Sequence, residues 1–327
     1  MKQKEKHIAW GIIGCGDVAE VKSGPAFQNC DQSELVAVMR RNGEKAKDFA
    51  ERHKVPLWYD DASLLLKNDD INAVYVATPP STHLEYALKS LEVGKDVYLE
   101  KPMVLNEDEA LVLKEAVNQS KNKLVVAHYR RHLPMYLKVK ELVDSNAIGQ
   151  IEYVDIKYLI EHDKNINSNW RIDPSVSGGG LFHDLAPHQL DLMYYFFGDY
   201  KQVAGFATSH EEEYQMSDSV NGIIGFKNGI QFRGIWNFNV PEYIAEDNCT
   251  IHGSKGTIQF PFYGSQLKWT VGSETTTNNF KNPVNIQQPL IQETVNYFLD
   301  LRTNPCSVEE GLVVTSIMDK FTHNINT

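Results

Sequence analysis

The apolar run Ile8-Ala9-Trp10-Gly11-Ile12-Ile13 passes directly into Gly14-Cys15-Gly16-Asp17-Val18-Ala19, a GxGxxA pattern. A strand that turns into a helix through glycines at this spacing confines the chain to a small set of α/β folds. Gly14 permits the tight turn, Gly16 lets the backbone approach a pyrophosphate, and Ala19 allows close packing of helix on strand. Asp17 and Val18 open the helix whose N-terminus faces the anion. The pattern alone is weak, but it becomes specific at the first strand-helix junction of an alternating domain.

The first half of the chain supplies that alternation. Strands are expected at 34–39, 73–77, 97–99 and 123–127, with Ala73-Val74-Tyr75-Val76-Ala77 continuous and apolar in the manner of a buried parallel strand. Helices are expected at 44–53, with Ala46, Phe49 and Ala50 on one face, at 82–93 ending on Gly94, and at 107–119. After about Gly149 the grammar changes. Segments 151–160, 202–207, 220–226, 231–239 and 249–252 alternate or run apolar between turns such as Lys227-Asn228-Gly229, the pattern of a mostly antiparallel sheet. Helices interrupt it at 183–197 and 290–303. A last helix, 308–323, carries Leu312, Val313, Ile317 and Met318 on one stripe and is expected to pack back on the body. The expected fold class is α/β: a doubly wound parallel Rossmann sheet over residues 1–127, then an α+β domain with a large, mostly antiparallel open sheet over 128–327.

The length of 327 residues suffices for two cores, and 42% hydrophobic with 23% charged residues is ordinary for a soluble globular protein. A net charge of -11 argues against nucleic acid or an anionic membrane as partner, while leaving room for an anionic cofactor in a local positive pocket. The four cysteines, Cys15, Cys30, Cys249 and Cys306, show neither CxxC nor metal-ligand spacing, so reduced thiols in a cytoplasm are expected. The apolar run after Met1–Lys6 is broken at once by Gly-Cys-Gly-Asp, which reads as a mature cytosolic N-terminus rather than a signal peptide, and no segment approaches the length of a membrane span.

Candidate site residues cluster after strands. An NAD site usually has Asp or Glu at the end of the second strand, whereas this chain has Met39-Arg40-Arg41-Asn42. Arg40 and Arg41 suit a ribose 2′-phosphate, so NADP is expected, with NAD possible; the other reading is that both arginines solvate a helix start. Thr78 and Pro79, in Ala77-Thr78-Pro79-Pro80, lie where a rigid loop borders the cofactor. His83 opens the next helix and caps or orients that loop rather than performing chemistry. Lys101, in Tyr98-Leu99-Glu100-Lys101-Pro102, stands where Pro102 stops a strand, and carboxyl strand ends border the ligand crevice. Glu100 beside it is grouped with the cofactor residues.

A second constellation is Ser177-Gly178-Gly179-Gly180-Leu181-Phe182-His183-Asp184-Leu185-Ala186-Pro187-His188. On a helix Asp184 and His188 share one face and His183 falls off it. His188 suits proton transfer near neutral pH, and a nearby carboxylate sets its tautomer. The alternative is a surface Asp-His pair. The two histidines cannot both point inward with Asp184, so no metal is expected. Trp170 and Arg171 either stack on and hydrogen-bond a ligand or belong to the core.

The order GxGxxA, Ala-Thr-Pro-Pro, Glu-Lys-Pro, Trp-Arg and Gly-Gly-Gly…Asp-x-x-x-His resembles the Gfo/Idh/MocA oxidoreductases over nearly the whole chain. The resemblance implies a Rossmann domain, a C-terminal domain whose open sheet forms homodimers or homotetramers, and NAD(P)-dependent oxidation or reduction of sugars, cyclitols and related alcohols. It implies that Lys101, Asp184 and His188 match the family's catalytic residues. His188 would then take or give the hydroxyl proton, Lys101 would stabilise charge on the same oxygen, and Asp184 would orient the alcohol or the histidine. His128-Tyr129-Arg130 stands where the family often has Asn-x-Arg beside the nicotinamide, which places Tyr129 among the cofactor residues; His128 replaces the Asn and its role stays open. Val21-Lys22-Ser23-Gly24-Pro25 departs from the small apolar residues common there, and Lys22 reaches the site or sits on the surface. Asp155, Lys157, Glu161, His162, Asp163 and Lys164 form a polar strand-loop suited to a polyol. Two other functions fit the same motifs: redox-neutral, NAD-dependent glycoside cleavage, and non-catalytic nucleotide sensing.

Overall fold

The structure, a computed structural model, describes residues 7–161, 170, 173–209 and 217–323. Its chain divides into two units. One runs to Tyr129 and takes in Pro283–Leu312; the other covers Arg130–Asn282 and continues from Val313. A single cut at 127/128 would assign 283–312 to the second domain, whereas this stretch packs with the first unit.

In the first unit the strands are β1 (Ile8–Ile13), β2 (Ser33–Met39), β3 (Leu57–Tyr59), β4 (Ala73–Val76), β5 (Asp96–Leu99) and β6 (Leu124–Val126). They form a wholly parallel sheet in the order β3-β2-β1-β4-β5-β6. The order reverses between β1 and β4, the switch point at which such sheets bind ligands outside the carboxyl ends of their strands. Every residue of β1 and β4 is buried, so neither strand alternates. Trp10, Phe27, Tyr75 and Tyr98 form one aromatic cluster with ring centroids 4.8–6.4 Å apart, and Phe298 from the C-terminal stretch joins it at 5.7 Å from Trp10.

The second unit contains β7 (Ile151–Glu161), β8 (Tyr200–Thr208), β9 (Ser219–Phe226), β10 (Gln231–Val240), β11 (Glu246–Gly253), β12 (Gly256–Phe260), β13 (Gln266–Val271) and β14 (Glu274–Asn279), ordered β14-β13-β12-β11-β7-β10-β9-β8. All pairings are antiparallel except β7 with β10. The helix Gly180–Phe197 is buried along most of its length, with Phe182 against Trp236 of β10 at 5.3 Å. Among the described residues no helix is long and apolar enough to cross a membrane.

Candidate active site

Because all six strands of the first sheet run the same way, the residues that follow them gather on one edge. Gly14 follows β1, Arg40 follows β2, Thr78 follows β4, Lys101 follows β5 and His128 follows β6. The loop after β1 is built by its glycines. Gly14 has φ +97°, and a Cβ there would lie 2.8 Å from Thr78 N and 2.9 Å from Ala77 O. Gly14 and Cys15 N–H both donate to Met39 O, at 2.9 and 3.1 Å, which ties the loop to the end of β2. At Gly16 a Cβ would meet nothing nearer than Gly14 O at 4.0 Å, so the protein's own packing does not demand this glycine. A space of that kind beside the start of a helix fits a pyrophosphate. Asp17 is exposed, Val18 half-buried and Ala19 fully buried. The helix then widens into a π turn over Ala19–Ser23 before the regular helix Gly24–Asn29. Lys22, in that turn, is exposed.

At the end of β2, Arg40 is half-buried and Arg41 exposed. The cap of the following helix is Asn42, whose side chain accepts from Lys45 N at 3.0 Å, so the arginines are not needed to start it. Burial pushes the Cys15 thiol up to about 11, with the Arg40 charge acting in the opposite sense. Arg40 therefore brings positive charge to the fingerprint loop. That charge and the space at Gly16 together fit an anionic dinucleotide.

The other loops of this edge are held from within. Thr78 Oγ1 accepts from Thr82 Oγ1 at 2.8 Å, and Pro79 is half-buried beside it. His83 is completely buried, with Nε2 2.7 Å from Thr78 O and Nδ1 2.9 Å from Pro102 O. Burial lowers its pKa. Its ring thus joins the loop after β4 to the cis Lys101–Pro102 peptide, with both nitrogens facing backbone carbonyls. Glu100 is also buried and its carboxylate is engaged by Tyr75, Gln287 and the Lys101 N–H. Lys101 is half-buried, and His128 and Tyr129 are buried at the end of β6.

In the second unit, Gly178, Gly179 and Gly180 all have positive φ (86°, 158° and 76°), a conformation that favours glycine and delivers the chain into the helix Gly180–Phe197. Asp184 and His188 lie one turn apart on it, Asp184 half-buried and His188 buried. Pro187 sits inside this helix and removes one backbone donor just before His188. His183 packs against Gly179 and is buried; burial lowers its pKa to about 4, so its ring is neutral. Trp170 is exposed, and Arg171 and His162–Lys164 lie outside the described residues.

Sequence reasoning missed three features here. Asp191 pairs with Arg131 through both carboxylate oxygens at 2.7–3.0 Å, and both side chains are buried. Helical spacing could have found Asp191, which falls three residues after His188 on the same helix. Tyr158 of β7 has its hydroxyl pushed up to about 12 by burial and then by the Asp247 charge, with the Arg130 charge acting in the opposite sense and the Asp184 charge adding a smaller share. Nothing local marks it. The Tyr75–Glu100–Gln287 contacts have no local signal either, since Gln287 lies 187 residues beyond Glu100. Among the described residues no group of three or more His, Cys, Asp or Glu could hold a metal ion.

Residues 8–128 match the oxidoreductase family with an NAD-binding Rossmann fold, and residues 136–259 match the GFO/IDH/MocA C-terminal domain. The chain is 53% identical over 323 residues to Oxidoreductase P35 of Formosa agariphila, covering 97% of this chain and 99% of that one. It is 27% identical over 260 residues to an inositol 2-dehydrogenase of Rhizobium meliloti, covering 77% and 74%. Its fold is that of a levoglucosan dehydrogenase solved with NADH and levoglucosan, at TM-score 0.86, 22% identity and 96% coverage of both chains. With its parallel sheet, its glycine loop and these matches over both units, the chain belongs to the GFO/IDH/MocA family of NAD(P)-binding oxidoreductases.

Proposed function

We propose that this enzyme transfers a hydride between NADP(H) and the CH–OH or C=O group of a sugar, cyclitol or related polyol. The observation that carries the reading is Lys101, a half-buried cation on the same sheet edge as the glycine loop. The inositol and levoglucosan dehydrogenases among its relatives support the substrate class. The nicotinamide, when bound, supplies the hydride chemistry. Lys101 donates a hydrogen bond to the reacting oxygen and stabilises negative charge developing there. His188 takes or gives the hydroxyl proton, and Asp184 orients either the alcohol or the imidazole.

Arg40 and Arg41, with no carboxylate after β2, favour NADP over NAD. The open face of the second sheet exposes Phe206, Ile223 and Ile235 on three successive strands, which suits a homodimer or homotetramer built through that face. Four buried cysteines without CxxC spacing suit a reducing cytoplasm.

Two measurements test the reading. Fluorescence titration should give tighter binding of NADPH than of NADH, and the reverse order overturns the cofactor assignment. Lys101→Met and His188→Asn should each lower turnover of a polyol or keto-sugar substrate by about 10²–10⁴-fold while nucleotide binding stays largely intact. Near-wild-type turnover in both variants would sink the catalytic assignment.

A further inference from the structure

Beneath Lys101 lies a buried polar network. Glu100 Oε1 accepts from Tyr75 Oη–H at 2.6 Å and from Gln287 Nε2 at 2.6 Å, while Glu100 Oε2 accepts from the Lys101 N–H at 3.0 Å. A carboxylate withdrawn from water needs its lone pairs met, and three neutral donors meet them here. The Gln287 amide has one workable orientation. Its Oε1 accepts from Tyr98 Oη–H at 3.0 Å, and only its Nε2 can donate to the carboxylate. Both partners of Glu100 reach the π turn behind the glycine loop. Gln287 N–H faces Lys22 O at 3.4 Å, and Ser23 Oγ donates to Tyr75 Oη at 3.1 Å. Tyr75, Ser23 and Gln287 are fully buried.

We propose that Gln287 and Tyr75 are positioning residues for Lys101. They hold the Glu100 carboxylate, the carboxylate holds the Lys101 N–H, and the root of the lysine side chain is thereby anchored to the turn that follows the glycine loop. A lysine reaches its substrate through four rotatable bonds, so where its backbone is fixed decides which oxygen it can meet. Misplacement by about 1 Å is enough to cost up to about 10²-fold in rate. The assignment of a catalytic consequence rests on the proposed role of Lys101.

The test uses the full-length protein with Tyr75→Phe, Gln287→Leu and Gln287→Glu, each read in three ways. Amide hydrogen exchange at Lys101 needs no substrate. It should accelerate at least tenfold in the Phe and Leu variants, beyond any change at Val97 in the preceding strand β5. Turnover of the polyol used by the wild type should fall about 10–100-fold in kcat. KM and the Kd for NADPH should move less than about threefold. In Gln287→Glu two carboxylates stand at hydrogen-bond distance and must share a proton. Its kcat should therefore gain a new fall as pH rises, which a purely structural role for Gln287 would not produce. Unchanged exchange at Lys101 in folded Tyr75→Phe, or a pH profile of Gln287→Glu superimposable on wild type, overturns the proposal. Should Gln287→Leu fail to fold, Tyr75→Phe, which removes one oxygen, and Gln287→Glu still decide it. If Lys101→Met retains turnover, the catalytic role falls, while the exchange data separately report whether the anchor exists.

Discussion

A Cβ built on Gly14 would press against Thr78 N and Ala77 O, whereas one built on Gly16 would enter open space. The two glycines of one motif therefore answer to different demands, the first to the protein's own packing and the second to a ligand. Gly14→Ala, at φ +97°, should lower the unfolding free energy by about 1–3 kcal/mol and weaken nucleotide binding with it. Gly16→Ala should leave the thermal midpoint within about a degree of wild type while NADPH affinity falls at least tenfold, because the added methyl occupies the pyrophosphate's approach. Thermal melts beside fluorescence titrations separate the two; equal melting losses in both variants would contradict this division. Both glycines were legible in the sequence because the motif records local backbone geometry. Glu100 was legible as a member of Glu-Lys-Pro, but its partners were not. Tyr75 reads as one more apolar position of a buried strand, and Gln287 as an ordinary polar residue. A side chain's neighbour across the fold leaves no trace in the residues beside it.

Legibility among the elements followed how much each relies on its own sequence. The buried strands β1, β2, β4, β5 and β6 and the helices after the first four were readable from apolar runs and caps, including Gly94 at φ +79° after the helix His83–Glu92, whereas the helix Pro134–Asp144 after β6 was not. β3 was not, being three residues long and largely exposed. Neither were β13 and β14, because Glu274-Thr-Thr-Thr-Asn-Asn279 exposes every residue and its order comes from pairing with β13. The π turn over Ala19–Ser23 escaped notice because helical propensity does not tell whether a backbone hydrogen bond closes over four residues or five. In the helix Gly180–Phe197 the Asp184–His188 spacing was readable, and the burial of His183 was not. That burial has a consequence for pH. His183 titrates near 4 when folded against an ordinary value near 6.5, so between these limits the unfolded chain binds a proton that the folded chain refuses. Native stability should therefore fall as pH drops from about 6.5 to about 4, by on the order of 3 kcal/mol from this residue. Denaturant midpoints at pH 7 and pH 4.5 check this, and His183→Gln should flatten the difference. An unchanged pH slope in that variant would place the sensitivity elsewhere, His83 being another buried imidazole whose pKa burial lowers.

At the scale of the whole molecule, the first unit is completed by a stretch that arrives more than 150 residues after its main body ends. Phe298 packs tilted against Trp10, Cys306 O accepts from Val126 N–H at 2.9 Å, Asn304 Nδ2 donates to Leu124 O at 2.9 Å, and Lys123 Nζ donates to Tyr297 O at 2.7 Å. A chain ended at residue 282 should lose roughly 10 °C or more in the melting of its nucleotide-binding unit and bind NADPH poorly. Calorimetry with and without NADPH measures both, and an unaltered, ligand-responsive first transition would show that the stretch is dispensable. The order of strands in the second sheet carries a different consequence, one of timing. β7 is made first, yet it lies between β11 and β10, and β10 begins only at Gln231. At synthesis rates of about 5–20 residues per second, its partners emerge several seconds after it does. For that interval Val154, Ile156 and Tyr158 belong to a strand with both edges bare. The chain is then most exposed to mispairing with another nascent copy, so the hazard to this fold lies in its synthesis rather than in its finished state.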